Sequence, residues 1–146
     1  MKKFLISELA QIIRAAPPTE DNVITGISTD SRTTKAGDCF FAVPGEKFDG
    51  HNYLADAFAK GAACAVISVD KAEKTSGRCL LKVDDTIKAL GDFARHYRIE
   101  MNFKVVAITG SVGKTTTRHI TYHVLSQHFR CHQSPKSFNN NIGVPL

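Results

Sequence analysis

Apolar and polar positions along the chain fall into short blocks of two periods. Residues 4–6 form a brief apolar run that predicts a strand. Leu9, Ile12 and Ile13 then make a helical stripe over 8–15, with Ser7 placed to cap it and Pro17-Pro18 to stop it. Loose alternation over 23–28 predicts a second strand. The apolar runs 39–43 and 62–69 read as buried strands, and Leu80-Leu81-Lys82-Val83 as a further strand. Between the first two of these, Leu54, Ala55, Phe58 and Ala59 mark a helix over 53–60, capped by Asn52 and ended by Gly61. A longer helix is predicted from Asp84 or Asp85 to about residue 98, with Ile87, Leu90, Ala94 and Tyr97 on its inner face. KVVAIT at 104–109 is the pattern of a central parallel strand, and a helix over 114–127 follows it with Ile120, Val124 and Leu125 inward. Residues 129–131 could open the next strand. Strands alternating with helices predict an α/β fold in two parts: a small unit over 1–83, and from 84–146 the opening of a second unit with its own parallel sheet.

Composition adds limits to this picture. Of the 146 residues, 42% are hydrophobic and 23% charged, the balance of a globular chain with a real core. Met1-Lys2-Lys3 followed by Phe4-Leu5-Ile6 starts like a secretory signal, but Glu8 cuts the apolar run short, and no stretch is long enough to cross a bilayer. The expectation is a soluble, cytoplasmic protein without membrane insertion. Residues 1–100 carry 14 basic and 14 acidic side chains. Residues 101–146 carry five basic ones (Lys104, Lys114, Arg118, Arg130, Lys136) and no acidic one, so the net +5 lies in the last third. These five are scattered and have no aromatic ladder, which argues against nucleic acid and for a small anion such as phosphate. Cys39, Cys64, Cys79 and Cys131 are widely spaced and lack a CxxC pair, which favours buried thiols over a disulfide frame or zinc site. His119 and His123 have metal-ligand spacing on a helix, but a third converging ligand is needed, and helix histidines without a metal are the commoner case.

The sharpest chemical signal is ITGSVGKTTT at 108–117. A strand, a glycine-bearing turn and a helix beginning at lysine make a phosphate loop. Gly110, Ser111, Val112 and Gly113 would bring backbone N–H groups against phosphate oxygens, Lys114 would reach the β- and γ-phosphates, and Thr115, followed by Thr116, would offer a hydroxyl to Mg²⁺. The general pattern needs Gly at 108, where this chain has Ile. Its shorter form, G-x-x-G-K-T, points away from GTPases toward a narrower class of ATP users. The carboxylate that normally joins the hydroxyl on the metal is missing after Glu100, so the chain reads as the front of a longer enzyme and as inactive alone.

Three stretches taken in order, ISTDSRTTKAGDCFFAVPGEKFDGH (27–51), ITGSVGKTTT (108–117) and NNNIGVPL (139–146), resemble the Mur ligases of peptidoglycan synthesis. Within that family the style of the last two is that of members adding D-alanyl-D-alanine to UDP-N-acetylmuramoyl tripeptide. The resemblance spans essentially the whole chain. It implies ATP and Mg²⁺ as cofactors, an acyl phosphate made from a substrate carboxylate, attack by an amine, and Lys114 as the catalytic residue. It also implies that the first unit binds the UDP moiety, with Ser31 and Arg32 at the diphosphate and Glu46 and Lys47 beside the uracil. His51 and Asn140 are further implied substrate contacts. Simpler roles stand beside these: Asp30 and Arg32 pairing to brace a turn, His51 capping the next helix, Asn139 to Asn141 shaping a turn. Relatives often have an acidic residue at the position of Asn141 and Lys-Glu at that of Arg118-His119. The family's later metal ligand, modified lysine and adenine contacts have no counterpart here. Alternative readings are a UDP-sugar or nucleotide-binding module without turnover, the ligase adding the third amino acid, or, more distantly, a small nucleotide-dependent regulator. A half-built second unit would also favour self-association through 84–146.

Overall fold

The computed structural model describes residues 1–45, 48–74, 79–134 and 143. Its centre is a parallel sheet of four strands in chain order: β3 (Gly26–Ser28), β4 (Asp38–Phe41), β5 (Cys64–Ser68) and β6 (Leu80–Val83). A two-stranded antiparallel ribbon joins β1 (Phe4–Leu5) to β2 (Val23–Ile24). Helices α1 (Ile6–Ile13) and α3 (Thr86–Glu100) cover one face of the sheet, and α2 (Leu54–Ala59) covers the other. The α/β class expected from the sequence is the one observed.

Period-two alternation explains how two layers grow from one sheet. Cys39, Phe41, Cys64, Val66, Leu81 and Val83 point to the α1/α3 side, whereas Phe40, Ala42, Ala65 and Ile67 point to α2 and meet Leu54, Ala57 and Phe58. Both faces of β4 are buried, which is why it reads as an unbroken apolar run. α3 lies beyond the expected boundary at 83–84, yet its Ala89, Leu90 and Phe93 complete the same core as α1 and the sheet. An edge-to-face contact of Phe4 with Phe93 and a further contact of Tyr97 with Phe103 continue this layer to the chain's exit.

Several boundaries differ from expectation. Ser7 is not the cap of α1. The helix starts at Ile6, two residues earlier than expected, Glu8 accepts the Leu5 N–H at 2.7 Å, and the Ser7 amide and hydroxyl both donate to Asp21. The single strand expected over 23–28 divides at Thr25, whose N–H donates to the Gly37 carbonyl, leaving β2 to pair with β1 and β3 with β4. Asn52 lies inside a 3-10 turn (Gly50–Tyr53) that Asp49 caps by accepting the His51 N–H. α3 begins at Thr86, where Asp85 accepts the N–H groups of Ile87 and Lys88. Its buried stripe of Ala89, Leu90 and Phe93 is rotated from the expected one, with Ile87, Ala94 and Tyr97 only partly covered.

The largest departure is at 104–109. This run is not a strand: Val105 and Val106 are 60% and 63% exposed, and among the described residues nothing pairs with it. Residues 129–131 are not a strand either. A strand exists through hydrogen bonds to neighbours, so an apolar pattern without them stays unpaired. α4 (Lys114–Leu125) forms as expected, but none of its residues is buried, and the supposedly inward Ile120 and Val124 face solvent.

Candidate functional site

The expected phosphate loop lies at the head of α4. Gly113 precedes the helix with φ +82°, a left-handed conformation that a side chain would strain, and Gly110 stands at φ +150°. The first helical bond of this turn runs from the Thr117 N–H to the Gly113 carbonyl at 2.9 Å, so the N–H groups of Lys114, Thr115 and Thr116 have no acceptor within the helix. They are the donors available to an anion, reinforced by the helix dipole. The Lys114 ammonium folds back over the loop and donates to the carbonyls of Gly110 at 2.5 Å and Ser111 at 3.4 Å. Val112 is 92% exposed at the loop's crest, and Thr115 is exposed in the first turn. The donor set suits phosphate. For a metal it supplies hydroxyls but no carboxylate, and among the described residues no cluster of three His, Cys, Asp or Glu side chains could hold an ion. His119 and His123 line, with Ile120, Tyr122, Val124 and Gln133, a shallow open depression along α4.

The expected UDP site lies on the first unit. The turn containing Asp30, Ser31 and Arg32 follows β3, and the loop from Ala42 to His51 follows the adjacent β4, so both leave the carboxyl edge of the parallel sheet. That edge is where open α/β sheets bind ligands. The turn is heavily braced. The Asp30 carbonyl accepts from the backbones of Thr33 and Thr34 and from the hydroxyls of Ser28, Thr33 and Thr34. Ser31 is buried, and Lys60 donates to the Arg32 carbonyl at 2.7 Å. The Arg32 guanidinium forks onto Asp30, with Nε 2.9 Å from Oδ1 and Nη2 2.7 Å from Oδ2. Arg32 side-chain bonding first, and its backbone N–H second, hold the Asp30 carboxyl down at about 2. The pair braces the turn, while the arginine side chain remains 86% exposed and open to an anion.

The β4 loop closes on itself. The Gly45 N–H donates to the Phe48 carbonyl, Pro44 bridges to Asp49, and the Gly50 N–H donates to the Val43 carbonyl at 3.0 Å. Glu46 and Lys47, expected beside uracil, lie outside the described residues, as does Asn140. The His51 ring is 7% exposed, with Nδ1 2.5 Å from Asp49 Oδ1 and Nε2 accepting the Ser68 N–H at 3.0 Å. Burial works against the Asp49 charge, but the His51 backbone and ring bonds and nearby Lys71 outweigh it and lower its pKa. Sequence reasoning missed this linkage. The Asp-x-His spacing before a helix hints at its local half, but Ser68 stands 17 positions away and no local pattern points to it. The tie from Lys60 to the Arg32 carbonyl was equally hidden.

Comparison with known proteins bears on this arrangement directly. A model described as "Mur ligase family, catalytic domain" matches residues 23–98, over half the chain, and one described as "Mur ligase middle domain" matches 108–146. The chain belongs to the Mur ligase family. A curated relative from Bacillus subtilis, UDP-N-acetylmuramoyl-tripeptide–D-alanyl-D-alanine ligase, is 35% identical over the whole of this chain and 33% of its own length. A crystal structure of MurF from Acinetobacter baumannii matches with TM-score 0.85 and 34% identity over 99% of this chain and 32% of that one. MurF ligase from Thermotoga maritima, solved in complex with ADP, matches with TM-score 0.71 and 31% identity over 82% of this chain and 27% of its own. This Mur ligase chain therefore spans about a third of the length of the relatives it matches.

Proposed function

We propose that this chain is the nucleotide-sugar-binding unit and phosphate loop of an ATP-dependent, amide-bond-forming ligase. The ligase joins D-alanyl-D-alanine to UDP-N-acetylmuramoyl tripeptide in the cytoplasm, through an acyl phosphate. The observation that carries the reading is the Lys114 ammonium folded over the Gly110 and Ser111 carbonyls at the open head of α4. A phosphate chain entering there meets the N–H groups of Lys114, Thr115 and Thr116, and the lysine turns from the loop carbonyls to the phosphate oxygens. ATP supplies the phosphoryl group, with Lys114 neutralising charge on it and Thr115 offering the metal hydroxyl. Supporting this, relatives alike over the full chain carry that ligase's name, and the matched Thermotoga structure holds ADP. Arg32 and Ser31, with Glu46, Lys47 and Asn140, are proposed to face the UDP-sugar.

The packing of α3 favours a first unit that runs through the Tyr97–Phe103 contact, with the ATP-binding unit beginning after it. Residues 101–146 hold no carboxylate for Mg²⁺, so we propose that the chain alone binds its ligands without turnover. Calorimetry with ATP and UDP tests the assignment. Lys114→Ala should abolish ATP binding and leave UDP binding unchanged, and Arg32→Ala should do the reverse. Equal ATP affinity in Lys114→Ala, or measurable ATP hydrolysis by the unaltered chain, refutes the respective part.

A further inference from the structure

The imidazole of His51 is enclosed, and both of its nitrogens are engaged within the protein. The backbone N–H of Ser68 can only donate, so Nε2 must be the unprotonated acceptor and the ring proton must sit on Nδ1, facing Asp49. That is the less common tautomer of a free histidine side chain, selected here by its two partners. Lys71 lies 3.8 Å from the other Asp49 oxygen, and the Ser68 hydroxyl donates to the Asp84 carbonyl at 3.4 Å. A string of polar contacts thus crosses the carboxyl edge of the sheet, from the loop after β4, over the end of β5, to the segment leading into α3.

The contacts from Val43 to Gly50 close that loop upon itself, whereas His51 ties it to the neighbouring strand. We propose that His51 is a positioning residue for nucleotide-sugar binding: held as the Nδ1–H tautomer between Asp49 and Ser68, it sets the β4 loop on the sheet edge without touching the ligand. The inference rests on the reading of that edge as the UDP site. It replaces direct contact, the role the family resemblance implies for His51, with an indirect one.

The test uses the full chain labelled with ¹⁵N-histidine, and UDP as the probe. In the free protein, His51 should show a protonated Nδ1 and an acceptor-type Nε2, and the Ser68 amide should exchange slowly. His51→Ala should lose that protection and weaken UDP binding about tenfold, the scale of one well-made buried hydrogen bond. Asp49→Ala should weaken it similarly. His51→Gln, whose side-chain oxygen can still accept from Ser68, should recover part of both. If His51→Ala fails to fold by circular dichroism, Asp49→Asn, which keeps an acceptor for Nδ1–H without the charge, should show an intermediate loss. An Nε2–H tautomer, unchanged UDP affinity in a folded His51→Ala, or a change of the ring's protonation pattern on UDP saturation overturns the proposal. A wild-type chain that binds no UDP refutes the site assignment instead, and the tautomer and Ser68 exchange still decide whether the latch exists.

Discussion

Asp30 and Arg32 make a forked ion pair in close geometry, yet the arginine is largely exposed and the aspartate partly so, and water screens much of the pair's contribution to stability. Its effect is better sought in titration than in melting. A carboxyl held at about 2, below its ordinary 3.8, favours the folded state above 3.8 and loses that contribution as pH falls through 2. NMR of the Asp30 carboxyl should therefore show a midpoint near 2 in the wild type and a return toward the ordinary range in Arg32→Ala. A midpoint unmoved by the substitution would mean that the fork is not populated in solution. The pair also bears on function: an anion recruiting Arg32 competes with Asp30, so UDP affinity should rise when Asp30→Asn removes the competitor, provided the turn keeps its other braces around the Asp30 carbonyl.

At the scale of elements, two glycines give opposite expectations. A Cβ on Gly50 would lie 2.8 Å from the Val43 nitrogen and 3.0 Å from its oxygen, where backbone cannot yield cheaply. Gly50→Ala should destabilise the fold by about 1–3 kcal/mol, the range of overpacking, and loosen the β4 loop. A Cβ on Gly91, within α3, meets nothing within 4 Å, so Gly91→Ala should stabilise by about 0.5–1 kcal/mol through helix propensity. Urea unfolding of both variants checks the pair, and equal midpoints would contradict it. Elements of this kind were legible where burial alone dictates pattern. β4, β5 and β6 form where the chain's apolar runs place them, and α3 forms over the expected residues with its buried face rotated. What stayed hidden depends on distant partners. Ser7 binds Asp21 rather than capping its helix, Thr25 gives its N–H to Gly37 and splits a strand, and His51 reaches across to Ser68. The run 104–109 shows the converse, since its apolar pattern is that of a strand but the described residues offer it no neighbour.

The two parts of the molecule differ in how they treat apolar surface. In the first, two buried clusters line the faces of one sheet, and α3 closes the larger of them. In the second, Val105, Val106, Ile120, Val124 and Phe129 are each at least 60% exposed, and α4 has no buried residue. Isolated apolar side chains on a surface are ordinary, but so many exposed within residues 105–129 leave apolar area that water disfavours. Two copies of the chain can cover such patches with one another, and the unpaired 104–109 runs could then pair as strands. The chain should accordingly show a concentration-dependent rise in mass by light scattering. Val106→Lys together with Ile120→Lys should return it to a monomer without changing its UDP affinity, since both positions lie outside the turn after β3 and the loop after β4 that form the proposed UDP site. A chain comprising residues 1–103 should stay monomeric and melt cooperatively, because both clusters and the Tyr97–Phe103 contact lie within it. A full chain that remains monomeric at high concentration would refute the association, and a 1–103 chain that associates just as strongly would place the driving surface outside residues 105–129.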